Sequence, residues 1–452
     1  VTPCLALVLE LHHPLPAPGR GVGRDWADSA VGVFWPVLHA VNDFVEHSGG
    51  ASITLAVSPS WTAQAADATA REMVRREMAR RAGDGRLDRD LHRFFASTGG
   101  GDALSLLRRW SGSGAIEVIP TTATHTWIPS LASERILIQS QVGLAVEDHA
   151  RRLETRPSGI WLPSLSYAAG IEGTLAANGL RYFGVPADAF LRGTVLPPLR
   201  TAAPMITPVG VAAFAVSTEP TAHAFDAGVG YGLDARYADP KLAPRAASDH
   251  AEHFLNRWIE QCYAVPDDAE FADERLTAVA FSAVDLARAW PAGGGALWLA
   301  TLLNQLSRLD TACGASLDRY LARNPVGVMG RPGATAGGFL AARPAGSDLF
   351  DRCRAASDLL AFALDRRGSM SEREKQTAAE MLRCLLRAQQ LDWSYPLHGA
   401  IDPDEGLRRA SAHLSRFYEL AAALMSGRPD RVVTPKGPEF LPDVDLNAAA
   451  RA

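Results

Sequence analysis

The chain has 452 residues, 47% of them hydrophobic, and a formal charge of −5 from 45 basic and 50 acidic side chains. This is enough apolar material for one large barrel with additions or for two to three domains. The lack of a basic block argues against a nucleic-acid groove, which needs clustered Lys and Arg to displace counterions, and no apolar run reaches the ~20 residues of a membrane span.

The five cysteines (Cys4, Cys262, Cys313, Cys353, Cys384) are odd in number and far apart, with no CxxC. That pattern fits reduced, mostly buried thiols. The first apolar run has no basic segment ahead of it and ends in His12-His13, unlike a secretory signal. The cytoplasm is the expected location.

In chain order, strand-like runs recur at Leu5–Leu11, Ser52–Ser58, Ala115–Pro120, Gly159–Leu162, Arg181–Val185, Gly210–Val216 and Leu276–Phe281. Their apolarity is continuous rather than alternating, which predicts strands buried on both faces and hence a parallel sheet. Helical patterns fall between them, at Val31–Glu46, Ala66–Ala82, Glu134–Leu153 and Ala247–Tyr263. Seven βα-like units predict a closed α/β barrel one unit short of eight, with an open doubly wound sheet as the alternative.

From about Gly346 the strands stop. Ser347–Asp365, Ser371–Gln390 and Asp404–Met425 predict three long amphipathic helices, with Ser371 and Glu374 spaced as a capping box. The expected organisation is a barrel over 1–345 with a helical insertion around 60–112, a helical C-terminal domain over 346–426, and an extended tail over 427–452. The Gly-rich pieces match no phosphate-loop spacing and read as loops. His250 and His253, at i, i+3 with Glu252, lack a third ligand at a recognisable spacing and read as a structural pair. No cofactor and no metal is expected.

The stretch Pro157–Tyr167, PSGIWLPSLSY, is a short buried strand that breaks at Pro163 and leads into a helix. In α/β barrels such strand ends carry the chemistry. The stretch resembles the GIWLPE(C)xY signature of glycoside hydrolase family 57, particularly its α-1,4-glucan branching enzymes. Further segments carry the resemblance in the family's order. Leu11-His12-His13-Pro14 is similar to the opening H-x-H-x-P element, with Glu10 in place of its first histidine. SITLAVSP is similar to the second strand, and Ala115–Pro129 keeps Glu117, His125 and Pro129 of the motif E-x-x-x-x-x-A-T-H-x-x-x-P. Gly230–Tyr237 is a degraded form of GYPGDPxYR, Asp249–Phe254 matches a helix of the family, and Asp392-Trp393 corresponds to an Asp-Trp pair in the helical domain.

The resemblance implies a (β/α)₇ barrel with a helical C-terminal domain and a nucleophilic glutamate after Pro163, where this chain has Ser164. It implies an acid/base aspartate at the end of strand seven, where this chain has Ser282. A retaining glycosidase needs two carboxyl groups about 5–5.5 Å apart, and a hydroxyl has neither the charge nor the pKa for either role. Asp285, one helical turn beyond Ser282, and Glu172 are the nearby acids that could stand in, each more simply a surface or capping carboxylate. Ser164 activated by His12 or His125 is a further option, but it lacks a G-x-S-x-G elbow.

The expected catalytic set is therefore none, with Ser164 and Ser282 as degenerate positions. The expected substrate-binding set is His12, His125, Trp127, Trp161, Trp290 and Trp393, since indole faces stack on sugar rings. The implied function is a catalytically inactive homologue that binds α-glucan or maltooligosaccharides, or a partner enzyme of glucan metabolism, with no nucleic acid and no membrane. Glucan-chain transfer with relocated residues is the alternative, and a purely structural subunit is the third reading.

Overall fold

The computed structural model describes residues 2–16, 23–85, 88–263, 274–291, 293–335, 344–394, 403–429, 440–442, 444 and 446–449. Nine strands form one sheet. They are β1 (Thr2–Leu11), β2 (Ile53–Val57), β3 (Ile116–Pro120), β4 (Gly159–Ile160), β5 (Tyr182–Pro186), β6 (Met205–Ile206), β7 (Ala212–Val216), β8 (Glu274–Ser282) and β9 (Cys313–Gly314). Seven run in the parallel order β3-β2-β1-β8-β7-β5-β4. A parallel bridge between Thr121 and Trp161, with Trp161 N–H donating to the Pro120 carbonyl at 2.9 Å, joins the two ends. The sheet is thus a near-closed seven-stranded barrel.

The seven apolar runs read from the sequence are these seven strands. Two further strands carried no readable pattern, because each is two residues long: β6 lies antiparallel on β7, and β9 lies parallel on β1. Strand parity sorts the side chains. In β1, Cys4, Ala6 and Val8 point into the barrel, where they meet Ile119, Phe214 and Ala278. Leu5, Leu7, Leu9 and Leu11 point outward to helices Trp35–His47, Ala243–Tyr263 and Gly294–Leu306. Each fully buried Leu contributes roughly 1.5–3 kcal/mol, and in β1 the run from Pro3 to Leu9 carries no polar side chain before Glu10.

A second apolar cluster joins the outward side chains of β4, β5 and β7 to helix Arg135–Leu153 and to the helices beyond residue 344. These are Pro344–Asp365, Glu372–Ala388 and Pro403–Met425. Ser371 and Glu374 form the capping box reciprocally. Of the expected extended tail, residues 430–439, 443, 445 and 450–452 lie outside the described residues. Its described part is packed rather than loose: Leu446–Ala449 is a helical turn with Leu446 and Ala449 buried, and Arg383 donates to the Leu441 and Pro442 carbonyls at 2.8 and 2.7 Å. Among the described residues no helix is long and apolar enough to cross a membrane.

Candidate functional site

Continuing the interior parity of β1 past Val8 places Glu10 and His12 at the barrel mouth. The same alternation puts Ser58 at the end of β2 and Ser282 at the end of β8, while the loop after β3 delivers His125. These ends meet. The imidazoles of His12 and His125 stack with centroids 3.7 Å apart and planes at 8°. His12 Nδ1 lies 2.9 Å from Ser58 Oγ, and its Nε2 lies 2.9 Å from Asp392 Oδ2. His125 Nε2 lies 2.8 Å from Glu10 Oε1. The result is a tetrad of two imidazoles and two carboxylates, buried except at Glu10.

Asp392 reaches the mouth because the helical part of the chain grips the loop after β3. Leu391 N–H donates to the His125 carbonyl at 3.2 Å, and Thr126 Oγ1 donates to the Gln389 carbonyl at 2.8 Å. Gln141 Nε2 donates to Gln389 Oε1 at 2.8 Å, and Gln390 Nε2 donates to Asp392 Oδ2 at 2.9 Å. His125 itself is held at φ 52°, a left-handed conformation that costs a non-glycine residue roughly 1–2 kcal/mol.

The two imidazoles titrate in opposite directions. Burial, and then the neighbouring His125, push His12 down to about 4 although Asp392 partly offsets them. Burial also opposes charge on His125, but the Glu10 carboxylate outweighs it and holds that group above its usual 6.5. A neutral His12 therefore lies on a readily protonated His125. The Nδ1 atom of His125 is buried and has no hydrogen-bond partner among the described residues. Donor atoms of His12, His125 and Asp392 lie within 4.8 Å of one another, so these three are also the residues that could hold a metal ion at the mouth.

Ser164 and Ser282 stand at the carboxyl ends of β4 and β8, on the same face of the barrel. Ser282 is buried and caps the helix Ala283–Ala289, its Oγ accepting from Asp285 N–H at 3.1 Å. Ser164 and Leu165 both adopt left-handed backbone, with φ 53° and 52°. Thr335 secures this turn, its Oγ1 donating to the Leu165 carbonyl at 3.1 Å and accepting from Tyr167 N–H at 3.0 Å. The left-handed turn thus sets the half-buried Ser164 at the carboxyl end of β4.

The indoles are placed differently from expectation. Trp161 is buried inside the barrel with its ring against Gly184, where a Cβ would come within 2.7 Å of it. Trp290 stacks on Trp298 at 5.0 Å in the outer core. Trp393 is fully buried among the C-terminal helices, donating Nε1–H to the Arg387 carbonyl at 2.6 Å. None of the three offers an open face, because each fills a core position next to its motif rather than the mouth itself. Trp127, half-buried in the loop after β3, keeps accessible surface.

Of the other acids weighed, Glu172 is buried and committed to structure: it accepts from Tyr167 Oη at 2.7 Å and Gly170 N–H at 2.6 Å, with Arg331 at 3.5 Å. Asp285 lines a cavity of about 580 Å³ with Arg288, Phe281 and Thr218, beside the Gly230–Tyr237 segment. His250 and His253 hydrogen-bond Tyr237 and Tyr231 of that segment, at 3.2 and 2.7 Å. Glu117 is not at the mouth. It lies inside the barrel toward the floor, accepting from Thr54 Oγ1 at 3.0 Å, from Asp318 N–H at 3.2 Å and from Tyr182 Oη. Sequence reasoning missed Glu10 and Asp392 as site residues; the signal for Glu10 was its i, i+2 spacing to His12 on one strand.

Residues 34–203 match the model of Glycosyl hydrolase family 57. A 1,4-alpha-glucan branching enzyme of Thermococcus kodakarensis is 33% identical over 100 residues, which cover 19% of this chain and only 15% of that protein. The alpha-amylase AmyC of Thermotoga maritima has the same fold, with a TM-score of 0.86 at 18% identity over 100% of both chains. A GH57-type branching enzyme of Pyrococcus horikoshii gives 0.80 at 18% identity, covering 98% of this chain and 96% of that one. The structural likenesses, at such identity, speak to the fold, and the sequence matches speak to descent. Together they give residues 34–203 a match to glycosyl hydrolase family 57, a local similarity to 1,4-α-glucan branching enzymes, and the whole chain the fold of the solved structures named above.

Proposed function

We propose that this chain is an α-glucan-binding or regulatory homologue of 1,4-α-glucan branching enzymes that has lost branching and hydrolytic chemistry. The observation that carries the reading is His125. Its Nδ1 is buried without a hydrogen-bond partner among the described residues, and Glu10 favours the protonated ring. A buried donor left without an acceptor costs about 1–3 kcal/mol, and a sugar hydroxyl is the neutral acceptor that would satisfy it. Hydroxyls at Ser164 and Ser282 lower the desolvation cost of such a neutral ligand, since an ion is dearer to bury. The test is titration with maltoheptaose by calorimetry alongside incubation with amylose, scored by iodine spectrum and reducing ends. Binding without any change in the amylose supports the reading, and turnover by the unaltered chain refutes it.

A second reading has its own observation. Glu10 and Asp392 put two carboxylates at the mouth, so chain transfer with relocated acids is the competing proposal. Each carboxylate is already engaged by an imidazole, which favours the binding reading. Turnover abolished by Glu10→Gln would establish the competitor.

A further inference from the structure

At the opposite end of β1 lies a thiol cluster that the mouth does not use. We propose that Cys313 and Cys4 form a peroxide-responsive pair that closes to a disulfide, fastening β9 to β1 at the barrel floor. The two cysteines are register partners in neighbouring parallel strands. Such strands lie about 4.8 Å apart, inside the roughly 4.4–6.8 Å that disulfides bridge between Cα atoms. Their sulfurs and the Glu274 carboxylate lie within 4.8 Å of one another. Cys4 is fully buried, and Cys313 is half-buried and open to a small oxidant.

Three ligating side chains could equally suggest a metal, but Arg323 decides against it. Its Nη2 lies 3.7 Å from Cys313 Sγ and 3.3 Å from Glu274 Oε2, so a fixed cation already occupies the electrostatic place a metal ion would take. A guanidinium beside a partly exposed thiol is the setting that favours thiolate. The hydrogen bond with Cys4 brings the Cys313 thiol down to about 7, helped by Arg323 and opposed by burial and Glu274, while Cys4 is raised correspondingly. The Cys313 thiolate accepts a hydrogen bond from the Cys4 thiol, which keeps its proton until it resolves the sulfenic acid. Cys353 and Cys384, by contrast, are buried and pushed up to about 12.

The chemistry balances with a hydroperoxide as oxidant. The Cys313 thiolate attacks the O–O bond, leaving Cys313 as sulfenic acid and the peroxide as alcohol or water once protonated. The Cys4 sulfur then attacks the sulfenic sulfur, and water departs with the proton of Cys4. The two sulfurs lose two electrons, and these reduce the peroxide. The new bond would pin β9 and the helix that follows it. The first amides of that helix, Leu317 and Asp318, already donate to Thr54 Oγ1 and Glu117 at 3.2 Å each.

The reduced 452-residue chain would be treated with one equivalent of hydrogen peroxide, alkylated, digested without reductant and mapped by mass spectrometry. The expected product joins the peptides of Cys4 and Cys313 and leaves Cys262, Cys353 and Cys384 as alkylated thiols. Arg323→Gln should slow this oxidation about tenfold, and Cys4→Ser should arrest it at a Cys313 sulfenic acid that dimedone captures. Native alkylation of the unaltered chain gives an independent readout should Cys4→Ser not fold: Cys313 should react about tenfold faster than Cys353 or Cys384. A Cys4–Cys262 link, or a Cys313 no more reactive than the buried thiols, would overturn the proposal.

Discussion

Glu10 and Ser282 are register partners across the parallel β1–β8 pair, both on the strand parity that faces the barrel interior. A carboxylate is therefore present at the mouth, one strand over from the position where the family resemblance implies the acid. Its partner is the imidazole of His125 rather than open space. That arrangement makes Glu10 the main support for charge on His125, with Asp392 adding a smaller contribution.

Glu10→Gln should accordingly lower the pKa of His125. With that carboxylate gone, burial is opposed only by the smaller pull of Asp392, and the ring should give up its proton more readily. Replacing a charge-assisted hydrogen bond by a neutral one should also cost about 1 kcal/mol. An NMR titration of the histidine ring protons reads the first effect and denaturant melts read the second. An unchanged His125 pKa would show that Glu10 does not set it.

Acid should destabilise the chain through its buried neutral histidines. The unfolded chain takes up protons on His12 and His149 near pH 6.5, whereas the folded chain resists until about 4. Between those values the unfolded state binds more protons, so stability falls as pH falls, by about 3 kcal/mol per group on reaching pH 4. His149, lowered by burial alone, is the cleaner probe. In His149→Leu the fall from pH 7 to 4 should shrink by about that amount, as measured by urea midpoints at both pH values.

Glu117 acts in the opposite sense. Burial raises its carboxyl to about 7 despite the hydrogen bond from Tyr182. Between about 4.5 and 7 the folded state holds a proton that the unfolded chain has lost. This contribution is complete below 4.5 and lost as pH rises through 7. Glu117→Gln should flatten the stability profile over that window. It should also cost about 1–3 kcal/mol, because an amide cannot accept from Thr54, Asp318 and Tyr182 on both of its terminal atoms.

The barrel was legible in the sequence because strands buried on both faces leave an uninterrupted apolar record, as in LALVLEL, and because the Ser371–Glu374 cap is written within four residues. The tetrad was not legible as a unit. His12 and Asp392 are 380 positions apart, and the grip of the segment after helix Glu372–Ala388, through Gln389 and Leu391, on the loop after β3 brings them together. The tryptophans show a second limit. A motif fixes where along the barrel axis a residue sits, but parity decides whether it faces the interior. Trp161, next to a strand end, was a candidate platform by the first criterion and is a core residue by the second.

This distinction yields the final prediction, in which two tryptophan truncations should fail differently. Trp161 packs against Gly184 inside the barrel, so Trp161→Ala leaves a cavity and should cost about 3–5 kcal/mol of stability. Gly184→Ala should strain the same contact from the other side, at about 1–3 kcal/mol, because the new methyl overlaps the indole. Trp127 is half-buried in the loop that carries His125, so its truncation should spare most of the fold. If maltooligosaccharides bind at the mouth with a Kd on the order of 0.1–1 mM, Trp127→Ala should weaken binding about tenfold, the equivalent of roughly 1.4 kcal/mol of stacking. Thermal melts and maltoheptaose titrations on the three variants separate the cases. Unaltered binding in Trp127→Ala would move the glucan contact away from the loop after β3.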